Sequence, residues 1–233
     1  MMANGNSVNL EIIVQKEHVS RDIARNTIKT LEDYEEKEVE MTIKSENHNY
    51  HIHEEVMETY AVLTCKELNC LKKKAYYTER KLQCLVGYAA RWHDIGKLDE
   101  RIPQYIWNKS GKPTAEEWRQ IRKHPEYSEE KIIPLKNIAE IAKYHHERYD
   151  GTGYPEGKRG EEIPLGARII SVIDAFSAMT HDRGYNHDRV LNAEQAAIEL
   201  KRCTGTQFDL VIVRAFIRVL KSLGKIPENF KDI

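Results

Sequence analysis

The sequence predicts an all-α fold, and three observations carry that prediction. Apolar residues recur at three- and four-residue intervals through most of the chain. No series alternating apolar with polar residues appears after residue 20. Helix-start signals stand where the periodic segments begin, such as Thr114 with Glu117, and Asn192 ahead of AEQAAIELKRC.

The elements follow in chain order. Residues 1–19 open around Asn4-Gly5, and LEIIV fits either a short strand or the start of a helix. From Ser20, SRDIARNTIKTLEDYEEKEVEM reads as a helix capped by Ser20, with Ile23, Ile28 and Leu31 along one side. SENHN breaks the pattern, dividing the chain into a helical N-terminal extension, residues 1–45, and one domain, residues 46–233. From about Tyr50 a helix turns Ile52, Val56, Tyr60 and Leu63 to one face, and residues 75–94 form another with Leu82, Leu85, Val86 and Ala89 inward. Thr114 and Glu117 make a capping box before WRQIRKH, and Pro125 then places His124 outside regular helix. Further helices are predicted at 126–133, 137–147, 164–181, after Asn192, and at 208–223. One long loop, DGTGYPEGKRGEEIP, has a composition of its own; loops of that length in a compact domain are usually functional or disordered.

Composition narrows the function classes. Of 233 residues, 40% are hydrophobic and 31% charged, and the formal net charge is −1. No strong field therefore draws the chain to a DNA or RNA duplex or to an anionic membrane. No segment approaches the roughly 20 apolar residues that span a bilayer. The opening MMANGNSVNLEIIVQKEH lacks a basic stretch followed by a long apolar run, which predicts no signal peptide and a cytoplasmic location. Cys65, Cys70, Cys84 and Cys203 form no Cys-x-x-Cys pair and read as reduced, packed thiols.

The chemistry concentrates in histidines and acids. In AARWHDIGKL, adjacent His93 and Asp94 on a helix can serve two metal ions, the carboxylate bridging with its two oxygens; a surface pair is the bland alternative. Lys97 lies one turn after His93 and can share its face, and Gly96 leaves room beside them. Asp174 sits in ARIISVIDAFSAM, apolar on nearly every side, so it needs a partner: a cation, or an arginine such as Arg168 or Arg183. His53 shares the inward face of Val56, Met57 and Tyr60, as a hydrogen-bonded core residue or a ligand. His51 points with Glu54, Glu55 and Glu58 toward water. His145 and His146 differ by about 100° around a helix, so one ion takes both only near a frayed end. Imidazole and carboxylate together suit iron, manganese or zinc, and the lack of thiolates argues against a structural zinc knuckle. In the loop, Gly151 and Gly153 allow close approach to a phosphate, Tyr154 offers a ring for stacking on a base, Pro155 stiffens it, and Lys158, Arg159 and Arg183 supply positive charge.

The order of these motifs resembles the HD-GYP family, a branch of the HD metal-dependent phosphohydrolases. An inward His53, then HDIGK, RKHPE, HHERYDGTGYP, GEEIPLGARII, SVIDAFSAMTHDRGY and GTQFD follow one another over roughly residues 46–225. The resemblance implies an HD-domain helical bundle, divalent iron or manganese, and hydrolysis of cyclic di-GMP, a bacterial second messenger, to the linear dinucleotide pGpG or to GMP. Carried over by position, the metal ligands would be His53, His93, Asp94, His124, His145, His146 and Asp174. Asp94 would bridge two ions, Lys97 would act at the scissile phosphate, and Asp150, Gly151, Gly153, Tyr154, Pro155 and Arg183 would hold the substrate. Three-metal relatives of this pattern carry a glutamate where Asn49 stands, so two metals are expected. Asp182-Arg183-Gly184-Tyr185 and then Asn186 replace the family's Asp-Arg-Pro-Tyr and its following basic residue. The insert around LKKKAYYTER is read from its basic character as a solvated loop, with a partner surface as the alternative. Two other readings stay open: a catalytically silent cyclic-dinucleotide-binding module, and an HD phosphohydrolase acting on another nucleotide such as cyclic GMP-AMP. Residues 1–45 are read as a homodimer-forming or docking segment.

Overall fold

A computed structural model describes residues 49–71, 79–108, 111–132, 135–181 and 190–231; the side chains of 49–55, 69–71, 79–84 and Asn108 fall outside that description. The extension 1–45, most of the LKKKAYYTER insert, Arg183 with its neighbours through Asn186, and the side chains of Asn49 and His53 lie outside the described residues.

The described residues are helical, as expected, with one isolated bridge between Thr204 and Phe208. In order they form α1 (Asn49–Leu71), α2 (Glu79–Trp92), a 3-10 turn (Ile95–Leu98), α3 (Tyr105–Asn108), α4 (Ala115–Ile121), α5 (His124–Ile132), α6 (Lys136–Tyr144), a second 3-10 turn (Gly160–Glu162), α7 (Leu165–Thr180), α8 (Ala193–Arg202) and α9 (Leu210–Ser222). Among these helices none is long and apolar enough to cross a membrane.

The centre of the bundle is α7. Ala167, Ile169, Ile170, Val172, Ile173 and Phe176 are buried on several sides of it, as its nearly continuous apolar sequence requires. It packs against α1, α2, α6, α8 and α9. Tyr60 of α1, Phe176 of α7 and Phe216 of α9 meet edge to face, with centroids 5.2–6.0 Å apart. A smaller apolar cluster of Ile102, Ile106 and Ile121, with Trp107 and Tyr127 against it, seats α3 and α4 beside the main core.

The caps fall where the sequence puts them. Thr114 Oγ1 accepts from Glu117 N (3.3 Å) while Glu117 Oε2 accepts from Thr114 N (2.6 Å). Asn192 and Gln195 repeat the arrangement at α8 (2.9 and 3.0 Å). Each such cap is worth about 1 kcal/mol.

Three helix boundaries differ from expectation. α2 stops at Trp92, so His93 and Asp94 lie in the turn beyond it and not on the helix. His124 is the first residue of α5 and not outside it. Pro125 is then in the first helical turn, where its missing N–H has no partner to lose. α6 ends at Tyr144, leaving His145 as its C-terminal cap and His146 in the following turn. All three differences put histidines at helix ends, where a side chain can leave the helical register and point into a shared cavity.

Candidate metal centre

Three helix-end histidines are held in the same way. His93 Nδ1 donates to the Ala90 carbonyl (2.7 Å), His124 Nδ1 to Ile121 (2.7 Å) and His145 Nδ1 to Ala142 (2.6 Å), each three residues back in its own helix. A carbonyl only accepts, so each Nδ1 carries a proton, and in the neutral ring Nε2 keeps its lone pair. All three Nε2 atoms are buried and make no hydrogen bond among the described residues. They converge on one carboxylate. His93 Nε2 is 3.3 Å from Asp94 Oδ2, and His124 and His145 Nε2 are 3.1 and 3.7 Å from Oδ1, which is itself buried without a hydrogen bond.

The remaining groups close the cluster. The His146 ring lies 4.0 Å from that of His145 and 5.0 Å from that of His124, centre to centre. Asp174 reaches in from α7. Potential ligand atoms fall into two overlapping sets, Asp94 with His124, His145 and His146, and His93 with Asp94 and Asp174, each within 4.8 Å. Asp94 belongs to both, the arrangement a bridging carboxylate requires. Arg168, one candidate ion-pair partner for Asp174, is engaged by Asp209 at 2.6 Å.

Electrostatics favour the neutral form of two of the imidazoles and the ionised form of Asp94. Burial, followed by the neighbouring His146 and His93, holds His145 well below the usual imidazole range. Burial and then His124 push His146 down to about 3. Burial alone would raise Asp94, but Lys97 and His93 hold it well below the usual carboxylate range. His93 moves the other way: burial lowers it, but Asp94 raises it further. His145 and His146, held neutral beside an ionised Asp94, are in the states a divalent cation binds.

The donor set therefore fits a divalent metal. Backbone-fixed imidazoles with buried, unpartnered Nε2 atoms are the outer-shell pattern of metal-ligating histidines. Four imidazoles and two carboxylates without a thiolate suit iron, manganese or zinc in a site of mixed nitrogen and oxygen ligands.

Lys97 lies in the 3-10 turn, and its ammonium contacts Asp94 Oδ2, the same oxygen that His93 Nε2 approaches. That turn is pinned by Gly96 N donating to Ser128 Oγ (2.8 Å). Ser128 was not visible as a site residue in the sequence, because the contact spans 32 positions.

The glycine-containing loop is built onto the cluster. Gly151 has φ +82°. Gly153 runs so close to the preceding turn that a Cβ there would lie 2.4 Å from Arg148 N and 2.6 Å from His146 O. This close passage lays the Tyr154 ring flat on His146, centres 4.9 Å apart and planes 24° apart. One face of Tyr154 is thus covered by His146. Burial raises its phenol, followed by the negative charges of Asp94 and Asp174, so the hydroxyl stays a proton donor beside the cluster. Pro155 follows on a cis peptide. Asp150 turns inward on the loop, accepting from Thr152 N (3.0 Å) and Thr152 Oγ1 (2.6 Å). Lys158 is paired with Glu156 (3.3 Å) and lies over Tyr144.

Sequence reasoning also passed over Glu147. Its buried Oε1 accepts from Glu156 N (2.7 Å) and Gly157 N (2.9 Å), tying the far side of the loop to the histidine turn. The available signal was an acid directly after His145-His146, ahead of a loop whose N–H groups had no evident acceptors. The loop's outer edge is held by Tyr149 N and Asp150 N donating to the Gln207 and Thr206 carbonyls (3.1 and 2.8 Å), which gives the GTQFD segment its structural role.

A family model described as HD domain matches residues 64–212. A 3'3'-cGAMP-specific phosphodiesterase of Vibrio cholerae is 35% identical over 148 residues, covering 62% of this chain and 31% of that protein. A cyclic di-GMP phosphodiesterase response regulator of Xanthomonas campestris is 38% identical over 63% of this chain and 39% of its own length. A cyclic di-GMP phosphodiesterase of Thermotoga maritima is 36% identical, with 63% and 40% covered. The chain thus spans between 31% and 40% of the length of these curated relatives. Among solved structures, an HDG"Y"P protein from Bdellovibrio bacteriovorus shares the fold, with TM-score 0.55 and 19% identity over 75% of this chain and 53% of that one.

Proposed function

Because the chain belongs to the HD domain family, we propose that residues 46–233 form a metal-dependent phosphodiesterase that hydrolyses a cyclic dinucleotide, cyclic di-GMP first among them. The observation that carries this reading is the convergence of three backbone-fixed, hydrogen-bond-free Nε2 atoms on Asp94, beside a loop shaped for close approach. The curated relatives' names supply the substrate class.

His93, His124, His145, His146, Asp94 and Asp174 would hold two divalent ions, iron or manganese, with His53 as a further ligand from α1. Such ions would supply Lewis-acid charge and bring the pKa of water down toward neutrality. The chain's own residues do the rest. Lys97 offsets charge growing on the non-bridging phosphate oxygens as water adds to phosphorus. Its ammonium also holds a proton for the departing ribose oxygen, so that one P–O bond forms, one breaks, and the ring opens to the linear dinucleotide. Tyr154, kept protonated, donates to a phosphate oxygen, and Gly151 and Gly153 let backbone reach it. Arg183 and Asp150 are assigned to substrate only through the family resemblance. The free thiols Cys65 and Cys203, with burial pushing Cys65 up to about 12, suit a reducing cytoplasm.

The test is elemental analysis of anaerobically purified protein, with hydrolysis of cyclic di-GMP, 3'3'-cGAMP and nucleoside monophosphates measured on the same sample. The reading expects bound iron or manganese, and activity on a cyclic dinucleotide that a chelator removes. Metal-independent activity, or hydrolysis of mononucleotides alone, overturns it.

A further inference from the structure

Beyond the cluster and its loop lies an open depression of about 360 Å³, lined by Ala115, Trp118, Arg119 and Arg122. Trp118 and Arg122 are four residues apart and share one face of α4 and its C-terminal cap. The Trp118 side chain is 46% exposed, an uncommon condition for so large an apolar ring. Arg119 is neutralised by Glu116 (2.7 Å), whereas the guanidinium of Arg122 lies 5.6 Å from the centre of the Tyr154 ring. Tyr154 in turn covers His146. An unbroken row of groups therefore runs from the cluster through His146, Tyr154 and Arg122 to Trp118.

We propose that this depression is a purine subsite: Trp118 stacks on one base of the cyclic dinucleotide, and Arg122 directs its guanidinium fork to that base's acceptor edge. The proposal rests on the function proposed above. It answers a need created by the structure, since Tyr154 has one face covered and an exposed indole stands next in line. A base stacks on an indole whatever its identity, while a two-donor fork suits the adjacent O6 and N7 acceptors of guanine. A dinucleotide with its phosphate at the cluster has a base to place beyond the loop; a simple phosphodiester has none. Trp118 and Arg122 are on this account specificity-determining residues, not members of the reacting centre.

The experiment compares kcat/KM for cyclic di-GMP with kcat/KM for bis(p-nitrophenyl) phosphate, a diester without a purine, in wild type, Trp118→Ala, Trp118→Phe and Arg122→Ala. Trp118→Ala is expected to lower the ratio of the two by roughly 10-fold, mainly through KM, the order a lost base–aromatic stack gives. Trp118→Phe is expected to restore most of that ratio, and Arg122→Ala to lower it independently. A ratio within about twofold of wild type in Trp118→Ala, an equal loss on both substrates, or a change confined to oligomeric state on sedimentation overturns the subsite. If wild type itself cleaves the small diester but no cyclic dinucleotide, the parent reading falls with it, and the wild-type assay alone reports that failure.

Discussion

Gly96 lies directly against the backbone of His124. A Cβ added at Gly96 would sit 2.0 Å from the His124 carbonyl oxygen and 2.6 Å from Ser128 N. The turn that carries Asp94 and Lys97 therefore touches the helix start that carries His124, with only a hydrogen atom between. Neither obstacle is a flexible side chain, so Gly96→Ala must force the turn and α5 apart. Overpacking of this kind costs about 1–3 kcal/mol. The expected variant has a lower thermal midpoint and binds less metal, because separation widens the gap between Asp94 and His124. Unfolding curves and metal content on one preparation check both; a variant equal to wild type in each contradicts the packing argument.

Glu147 predicts an asymmetry between two substitutions. In Glu147→Ala, the amides of Glu156 and Gly157 lose their shared acceptor, whereas Glu147→Gln keeps a carbonyl oxygen for them. An unsatisfied buried group costs about 1–3 kcal/mol. Amide hydrogen exchange at Glu156 and Gly157 is expected to speed up strongly in the alanine variant and much less in the glutamine variant. Equal exchange in both variants would remove the carboxylate from its anchoring role.

Much of this architecture was legible in the sequence, for identifiable reasons. The capping pairs Thr114–Glu117 and Asn192–Gln195 are local, so four residues suffice to see them. The apolar length of α7 marks a central helix without knowledge of its neighbours. The site's histidines and acids were legible as motifs. Their exact placement was not, because helix ends are set by tertiary contacts. Helix α2 gives way at Trp92 to a turn held by Ser128, and that partner lies far along the chain. The stacking of Tyr154 on His146 was hidden because nothing local reveals how closely Gly153 passes the preceding turn. Glu147 was hidden for the same reason: its partners are backbone amides, which carry no sequence signature.

Asp99 predicts a pH dependence of stability. Its buried carboxylate accepts from Arg101 N (3.0 Å), Nε (2.7 Å) and Nη2 (3.0 Å), and Lys131 Nζ lies 3.2 Å away. The Arg101 side chain first, then its backbone amide and Lys131, hold Asp99 well below the usual carboxylate range against the effect of burial. A depressed folded-state value means stability that is fully present above the unfolded value of about 3.9 and lost as pH falls toward the folded one. Arg101 is half-exposed, so solvent screening reduces the contribution. Asp99→Asn is expected to cost about 1–2 kcal/mol at pH 7. The gap between the two proteins should narrow between about pH 4 and pH 2 in urea unfolding. A gap independent of pH would show that Asp99 acts by shape alone.

Lys97 separates catalysis from metal retention. Its ammonium contacts Asp94 Oδ2, but Asp94 is also approached by the Nε2 atoms of His93, His124 and His145. A lysine ammonium has no lone pair for a cation, so Lys97→Ala removes no ligand. It does remove the positive charge proposed to meet the developing phosphate charge and the proton proposed for the leaving oxygen. Loss of one such electrostatic donor typically costs about 100- to 1,000-fold in kcat. The expected variant therefore retains most of its metal while turnover of cyclic di-GMP falls by about that factor. Lys97→Arg keeps the charge but holds its proton too tightly to release it, so it is expected to recover part of the charge effect and little of the proton transfer. Activity with a poor leaving group should then suffer more than activity with p-nitrophenolate, which departs without a proton. If metal content and turnover fall together in Lys97→Ala, the lysine is shaping the metal centre and the catalytic role assigned to it is wrong.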